Sequence, residues 1–239
     1  MSDALLECRL PSTTAWPGQR NIEPAQYAAR LTNAKGEVRH VPFIIRPSRP
    51  RRGVKLMCLS TTNTRIAYNF QPFGMKELDY GAYQHHPTYP LLGQLHGVHR
   101  PTTGEPWERT TVEFELPFYA WLEEAGIAHD VYSEWDLEAE PSLVEHYDAV
   151  AIAGHSEYWT ITQHDTLRQH LKRGGHLLSM SGNTAYWRVS IDASNQVMEV
   201  RKHDHRQMPG VNCHPMLFSA HDNQMDHLPG SFMRYAGYP

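Results

Sequence analysis

The sequence of 239 residues has few cysteines and no long apolar run. Its three cysteines, Cys8, Cys58 and Cys213, are odd in number and scattered, which argues against a disulfide framework and favours a reducing, cytoplasmic compartment. No apolar run reaches the roughly 18 residues that a membrane-spanning helix needs. The first residues also lack the basic and then apolar pattern of a signal peptide. We therefore expect no membrane partner.

Positive charge is scarce as well. The chain carries 22 Lys and Arg against 26 Asp and Glu, a net charge of −4 with His neutral. Because no long basic run is present, we expect no nucleic-acid partner. The short segment 46–53, rich in Arg and Pro, is interpreted as a solvated linker rather than a polyanion site. Apolar residues make up 40% of the chain, which is enough for a packed core.

The pattern divides the chain into a short β segment, a linker and an α/β domain. Residues 26–32 and 38–45 are strand-like runs joined by a turn, so we expect a hairpin within a β segment at residues 1–47. A lone hairpin is marginal in water, so it either packs on the main domain or is the remnant of a β-sandwich. Residues 48–53 form the linker, and residues 54–239 form the α/β domain.

Strands alternate with helices in the main domain, which predicts an α/β fold with a parallel sheet covered on both faces, flavodoxin-like in outline. The predicted strands are residues 54–60, 127–132, 150–153 and 176–181. The first predicted helix covers residues 117–125, and its apolar face carries Phe118, Trp121, Leu122 and Ala125. A second, short helix is predicted at residues 140–147. A third is capped by Thr160 and extends through Arg173, with Ile161, Leu167 and Leu171 as its apolar positions.

Two stretches depart from this alternation. Residues 61–110 are expected to be irregular, and their length and aromatic content indicate a functional loop. A hairpin is expected between Val189 and Val200. The tail from Arg201 has no closing helix or strand, so we expect the α/β domain to be truncated at its C-terminus.

Polar side chains cluster where predicted strands end. Ligands of open α/β sheets bind just outside the carboxyl ends of the strands, so side chains from separate turns should meet there. A carboxylate, an imidazole, an amide and phenols in one crevice could bind a metal or perform acid–base chemistry. The candidate residues are Tyr68, Tyr80, Tyr83, His155, Glu157 and Asn183.

Nucleophilic catalysis has little support in the sequence. Cys58 falls inside its strand, where it is expected to be a small core residue. Ser156 follows a strand but lacks the Gly-x-Ser-x-Gly surroundings of a nucleophile elbow. We therefore expect no acyl-enzyme chemistry.

A metal site is the alternative, although the local pattern leaves it open. His155-x-Glu157 has no second His at zinc spacing, whereas phenol and carboxylate oxygens suit oxidised iron. Equally, His155 could be a core histidine, Glu157 a charge favoured at a helix N-terminus, and Asn183 a left-handed residue after a strand.

Three motifs together resemble the C-terminal domain of the large (β) subunit of N,N-dimethylformamidase and its relatives. They are Ala-Tyr-Asn at residues 67–69, Gly-His-Ser-Glu-Tyr-Trp at residues 154–159, and Ser-Gly-Asn-Thr-Ala-Tyr-Trp-Arg-Val at residues 181–189. The predicted helix at residues 117–123 and the strand pair before residue 47 are also similar to that family. The resemblance covers most of residues 20–205.

The resemblance implies a three-layer α/β/α domain, similar to class I glutamine amidotransferases, that has lost the cysteine nucleophile. It also implies a mononuclear ferric iron held by two tyrosinates and a glutamate. By motif, Glu157 takes the glutamate place and Tyr68 the first tyrosine place. Two registers fit the second tyrosine, one with Tyr80 and one with Tyr83, and the motif favours Tyr80 slightly.

The implied activity is hydrolysis of the carbon–nitrogen bond of a small linear amide. His155, Glu157 and Asn183 match the catalytic and polar residues around the metal. The resemblance further implies an oligomer and a small partner subunit. The alternative is a non-catalytic domain that binds a sugar or another small polar ligand, similar to trehalose-utilisation proteins.

Overall fold

A computed structural model describes residues 23–69, 81, 94–97, 112–194 and 196–200. In chain order the strands are β1 (Ala25–Thr32), β2 (Val38–Ile45), β3 (Leu56–Ser60), β4 (Gln94–Gly97), β5 (His129–Ser133), β6 (Ala149–His155), β7 (Tyr158–Trp159), β8 (His176–Gly182), β9 (Trp187–Asp192) and β10 (Val197–Val200). The helices are α1 (Thr62–Tyr68), α2 (Val112–Glu124), α3 (Glu134–Ala139) and α4 (Ile161–Lys172), with a 3-10 helix at Pro141–His146.

The centre of the molecule is a four-stranded parallel sheet in the order β5-β3-β6-β8. Its two inner strands, β3 and β6, are almost continuously buried, as expected for strands covered on both faces. The predicted α/β fold with a parallel sheet is confirmed. All four strands end at one edge of this sheet, which is called the carboxyl edge below.

Two apolar clusters cover the opposite faces of the parallel sheet, because successive strand residues point to opposite sides. On one face, Met57 and Ile152 pack with Leu143 of the 3-10 helix and Leu167 of α4. On the other face, the packing partners of Cys58 come from β5, β6 and α2. These clusters fix the strand ends, and therefore the turns that follow them.

A second sheet, in the order β4-β10-β9-β7, packs against α1. Strands β9 and β10 form the hairpin predicted between Val189 and Val200. The short strand β7 pairs in parallel with β9 and follows β6 after only two residues. The chain therefore crosses from one sheet to the other within the turn that contains Glu157.

The hairpin of β1 and β2 is confirmed, with the two strands paired antiparallel over their full length. Ile44 packs on the cluster around Cys58, so the hairpin rests on the main domain. The segment after it is more than a solvated linker. Arg49 and Arg52 are exposed, but Arg51 donates from its backbone to Asp130 at 3.1 Å and forms an ion pair with the same buried carboxylate.

The prediction that residues 61–110 are irregular is wrong in part. They contain α1 and β4. The start of α1 is polar in sequence, so no apolar stripe indicates a helix. Asn63, Thr64 and Arg65 are nevertheless buried, because side chains and backbone from distant parts of the chain satisfy them.

Helix boundaries and faces also differ from the predictions. Helix α2 begins at Val112 and contains Pro117, and Trp121, predicted to face the core, is 54% exposed while Tyr119 is buried instead. The predicted helix at residues 140–147 is a 3-10 helix, and α3 before it was not predicted. Thr160 caps α4 as predicted, but Ile161 is exposed. In the described part of the chain, no helix has the length and apolarity needed to span a bilayer.

Candidate active site at the carboxyl edge of the parallel sheet

The turn after β6 carries two of the candidate residues. His155 ends β6 and Glu157 lies between β6 and β7. Gly154 has a φ of 88°, a backbone conformation that glycine adopts without strain, and it sits where the strand begins to turn. Because β7 pairs at once with β9, the turn that contains Glu157 is held at both ends.

Helix α1 brings the third candidate, Tyr68, to the same place. Its hydroxyl donates a hydrogen bond to Oε2 of Glu157 and lies 3.1 Å from Nε2 of His155. The distance from Nε2 of His155 to Oε2 of Glu157 is 3.4 Å. A phenol, an imidazole and a carboxylate therefore form one hydrogen-bonded group, which is called the Tyr68–His155–Glu157 group below.

The backbone of Glu157 is fixed from two directions. Its N–H donates to Oγ1 of Thr64 on α1 at 2.9 Å, and its carbonyl accepts from the N–H of Trp187 on β9 at 2.8 Å. Its side chain is 2% exposed, whereas that of His155 is 19% exposed. The carboxylate is thus largely shielded from water, and the imidazole marks the accessible side of the group.

Strand β8 places Gly182 beside His155. The two residues are partners in the sheet register, and a Cβ added at Gly182 would lie 2.8 Å from Nδ1 of His155. Only a residue without a side chain leaves the imidazole in its position. The Gly-Asn pair at the end of β8 therefore shapes the site sterically as well as chemically.

Asn183 lies at the same edge but outside the hydrogen-bonded group. Its φ is 48°, which matches the left-handed alternative considered for it, and its carbonyl accepts from the N–H of Tyr186 at 3.1 Å. Within the described part of the chain, its side chain makes no hydrogen bond to the Tyr68–His155–Glu157 group. Tyr80 and Tyr83 lie outside the described residues, so the second tyrosine stays a prediction.

The two candidate nucleophiles are buried and engaged. Cys58 is fully buried in β3, and burial raises the pKa of its thiol far above the ordinary value, so it is not a reactive thiolate. Ser156 is also fully buried; its hydroxyl donates to Glu134 at 2.6 Å and accepts from the indole N–H of Trp159 at 2.7 Å. Neither side chain is available for attack on a substrate.

Glu134 was not among the predicted site residues. It follows β5 directly and is fully buried, and burial raises the pKa of its carboxyl to about 8 against the opposing effect of hydrogen bonds from Ser156 and Asn63. Ser133 and Asp136 form a capping box around it. The Ser-x-x-Asp pattern after the second predicted strand could have indicated a carboxylate at this strand end.

A second buried carboxylate, Glu115, was also missed. It accepts from the hydroxyl of Ser60 at 2.7 Å and from the N–H of Thr61 at 2.8 Å, and it lies 3.5 Å from the guanidinium of Arg65. These contacts hold the junction of β3 and α1 against α2. No local sequence signal indicates them, because Glu115 lies 50 or more positions from its partners.

The donors present restrict the kind of metal that this edge could bind. Among the described residues, no three His, Cys, Asp or Glu side chains come together as a metal site. Among the described residues, Tyr68 supplies a further oxygen beside Glu157. Phenol and carboxylate oxygens are hard donors that suit an oxidised iron.

The fold and this geometry define a class of protein. It is an α/β protein in which a carboxylate, a phenol and an imidazole meet at the carboxyl edge of a parallel sheet, the edge at which open α/β sheets bind their ligands.

Comparison with known proteins makes the class more specific. Residues 1–227 match the family described as N,N-dimethylformamidase beta subunit-like, C-terminal, and the chain belongs to that family, which confirms the predicted resemblance. The chain is 26% identical over 238 residues to the N,N-dimethylformamidase beta subunit of Paracoccus aminophilus. The match covers 84% of the chain but only 31% of the relative, so the chain spans about a third of that protein's length.

Proposed function

We propose that this domain contributes to hydrolysis of the carbon–nitrogen bond of a small linear amide, as in the relatives named N,N-dimethylformamidase. The observation that carries the proposal is the Tyr68–His155–Glu157 group, in which all three side chains lie within hydrogen-bonding distance at the carboxyl edge. Family membership supports the reaction class.

We also propose that the α/β domain is flavodoxin-like and related to class I glutamine amidotransferases. In order of appearance, the parallel strands lie in the order second, first, third, fourth. This order equals the first four positions of the flavodoxin-like arrangement 2-1-3-4-5. The buried state of Cys58 agrees with a domain that does not use a cysteine nucleophile.

Iron is the cofactor that the donor set favours. Tyr68 and Glu157 would hold it, with Tyr80 or Tyr83 as the second phenol; Glu157 is already oriented by backbone contacts to Thr64 and Trp187. A mononuclear ferric ion there would supply a Lewis acid, polarising the amide carbonyl and lowering the pKa of a water molecule.

The residues of the chain then have distinct roles. Tyr68 must lose its phenol proton to become a ligand; its hydroxyl donates to Oε2 of Glu157, and Nε2 of His155 lies 3.1 Å from the phenol oxygen. His155, which is partly exposed, would donate a hydrogen bond to the developing oxyanion or pass the proton of the attacking water to the leaving amine. Asn183, next to the register partner of His155, would orient the amide carbonyl.

The test is iron content and hydrolysis of N,N-dimethylformamide before and after Glu157→Ala. We expect bound iron, the visible absorption of tyrosinate coordinated to ferric iron, and amide turnover, all lost in the variant. Glu145→Ala, which changes a glutamate that is 57% exposed on the 3-10 helix, is the matched control. Unchanged iron content and turnover in Glu157→Ala would reject the proposal.

A second candidate function is binding of a sugar or small polar ligand without turnover. Aromatic rings surround the group: Tyr158 lies edge-on to Tyr68 at 5.9 Å, and Tyr186 lies edge-on to Trp187 at 5.1 Å. Burial, and secondarily the charge of Glu157, raise the pKa of Tyr186, which keeps its hydroxyl a donor. Saturable sugar binding by iron-free protein, with no amide turnover, would favour this function.

Assembly and location also belong to the proposal. The relative is named as a beta subunit, so we propose that this chain forms an oligomer and binds a small partner subunit. Light scattering of the purified chain, alone and with a co-expressed partner, measures both. A cytoplasmic location remains a prediction from the cysteine content.

A further inference from the structure

The carboxylate of Glu134 joins two separate elements of the site. Its Oε1 accepts from the hydroxyl of Ser156 at 2.6 Å, and its Oε2 accepts from the backbone N–H of Asn63 at 2.7 Å. Ser156 lies in the turn after β6, and Asn63 lies in α1. One side chain on a third element, α3, therefore holds both.

Each donor lies on a segment that carries a member of the Tyr68–His155–Glu157 group. Ser156 lies between His155 and Glu157 in the sequence, and Asn63 is on the same seven-residue helix as Tyr68. Helix α1 has no side-chain cap at its N-terminus, and a helix this short is marginal without tertiary contacts. Its position relative to the turn depends on contacts such as the one to Glu134.

A buried hydrogen-bond network surrounds these contacts. The side-chain amide of Asn63 donates to the carbonyl of Tyr158 and to Oε1 of Gln163, both at 2.9 Å, and Gln163 donates to the carbonyl of Glu134 at 2.8 Å. Asn63, Glu134, Ser156 and Gln163 are all fully buried. Because water cannot replace a lost partner there, displacement of any member is resisted.

We propose that Glu134 is a positioning residue that sets the separation between the phenol oxygen of Tyr68 and the carboxylate of Glu157 through its contacts to Asn63 and Ser156. Glu134 touches neither of those two oxygens. The inference rests on the proposed function for its metal measurement, but the arrangement that it describes exists in the metal-free chain.

The experiment compares three variants of the chain. Glu134→Leu removes both acceptors at a similar size, and Glu134→Gln retains an acceptor for Asn63 and a polar contact to Ser156. Asp130→Leu is the matched control, because it removes a fully buried carboxylate near the other end of β5, where Arg51 and Tyr147 are the partners. It reports the effect of lost stability alone.

Two measurements are made on each variant. Iron titration, followed by the tyrosinate-to-iron absorption band, gives the affinity, and we expect Glu134→Leu to bind about 10- to 100-fold more weakly, with a shifted band. Hydrogen exchange of the metal-free protein reports how firmly α1 and the turn after β6 are held in place. We expect the amides of residues 62–69 and 155–160 to exchange faster together in Glu134→Leu, whereas Glu134→Gln and Asp130→Leu leave both measurements near the parent values.

The outcomes separate this inference from the proposed function. If the parent chain takes up no iron, the proposed function fails, and the hydrogen exchange still decides whether Glu134 holds α1 to the turn. Equal changes in Glu134→Leu and Asp130→Leu, or an equal loss in Glu134→Gln, would overturn the inference. Should Glu134→Leu not fold, Ser156→Ala removes one of the two contacts and must show a smaller change in the same direction.

Discussion

The two edges of the parallel sheet contain similar chemistry with different partners. Near the amino edge, Asp130 is buried, forms an ion pair with Arg51, and accepts from the hydroxyl of Tyr147 at 2.7 Å. At the carboxyl edge, Glu157 is buried and shares its Oε2 with Tyr68 and His155. Both edges combine a carboxylate with a phenol; Asp130 also has a guanidinium partner, and Glu157 has an imidazole partner.

This difference indicates that Asp130 stabilises the fold, whereas Glu157 is suited to binding or reaction. An arginine cannot release its proton at physiological pH, so the contact between Arg51 and Asp130 is permanent, and burial with hydrogen bonds to Tyr132 and Asp130 raises the pKa of Tyr147 well above its ordinary value. A phenol and an imidazole can each act as a metal ligand or in proton transfer, so the contacts of Tyr68 and His155 with Glu157 can be exchanged for a cation or a substrate. The amino edge stabilises, and the carboxyl edge is suited to reaction.

The largest expected effect is on stability at the amino edge. Asp130→Leu leaves Arg51 and Tyr147 without their buried acceptor, so we expect the free energy of unfolding to fall by about 2–3 kcal/mol, measured by urea titration. Iron binding and amide turnover per folded molecule should not change. A loss of turnover at temperatures where the variant is folded would contradict the separation of the two edges.

Tyr68→Phe, at the carboxyl edge, should weaken iron binding and leave stability nearly unchanged, which is the opposite of the effect expected for Asp130→Leu. It removes the phenol from Glu157 and His155 but keeps the ring that packs against Tyr158. We expect iron affinity to fall roughly 100-fold, while the urea midpoint changes little. Tyr27→Phe in the β1–β2 hairpin is the control, and parent-like iron binding in Tyr68→Phe would remove this residue from the ligand set.

Gly182→Ala tests whether the imidazole position matters. The new Cβ would lie 2.8 Å from Nδ1 of His155, so the ring must move away from Tyr68. We expect amide turnover to fall about 10-fold or more, as for small displacements of catalytic groups. Met180→Ala on the same exposed side of β8 is the control, and equal kinetics in both variants would show that the ring has no such requirement.

Glu134 also introduces a pH dependence of stability. Its pKa is raised from 4.5 to about 8 by burial, so its contribution to stability is fully present below about pH 4.5 and is lost as the pH rises towards 8. Relative to Glu134→Gln, the parent should gain stability progressively as the pH falls from 8 to 5, because the folded protein takes up this proton at a higher pH than the unfolded chain does. Urea titrations of both proteins across this range measure the difference, and a constant difference would contradict a raised pKa.

Local patterns predicted most of the secondary structure of the parallel sheet. Apolar runs gave the strands, Thr160 gave the start of α4, and Gly154 followed by His155 and Glu157 indicated a polar strand end. Local patterns failed for α1 and α3, where buried polar side chains take the place of an apolar stripe. Those side chains are satisfied by partners far away in the sequence, which periodicity does not report.

The sequence by itself determined the α/β class and placed a carboxylate and an imidazole at the end of one strand, because alternation, caps and glycine act over a few residues. Only the tertiary structure decided that Tyr68 reaches His155 across 87 positions and that Glu134 holds both elements from a third. The physical reason is that these hydrogen bonds join elements distant in the sequence, and the relative placement of those elements depends on how the whole sheet is packed.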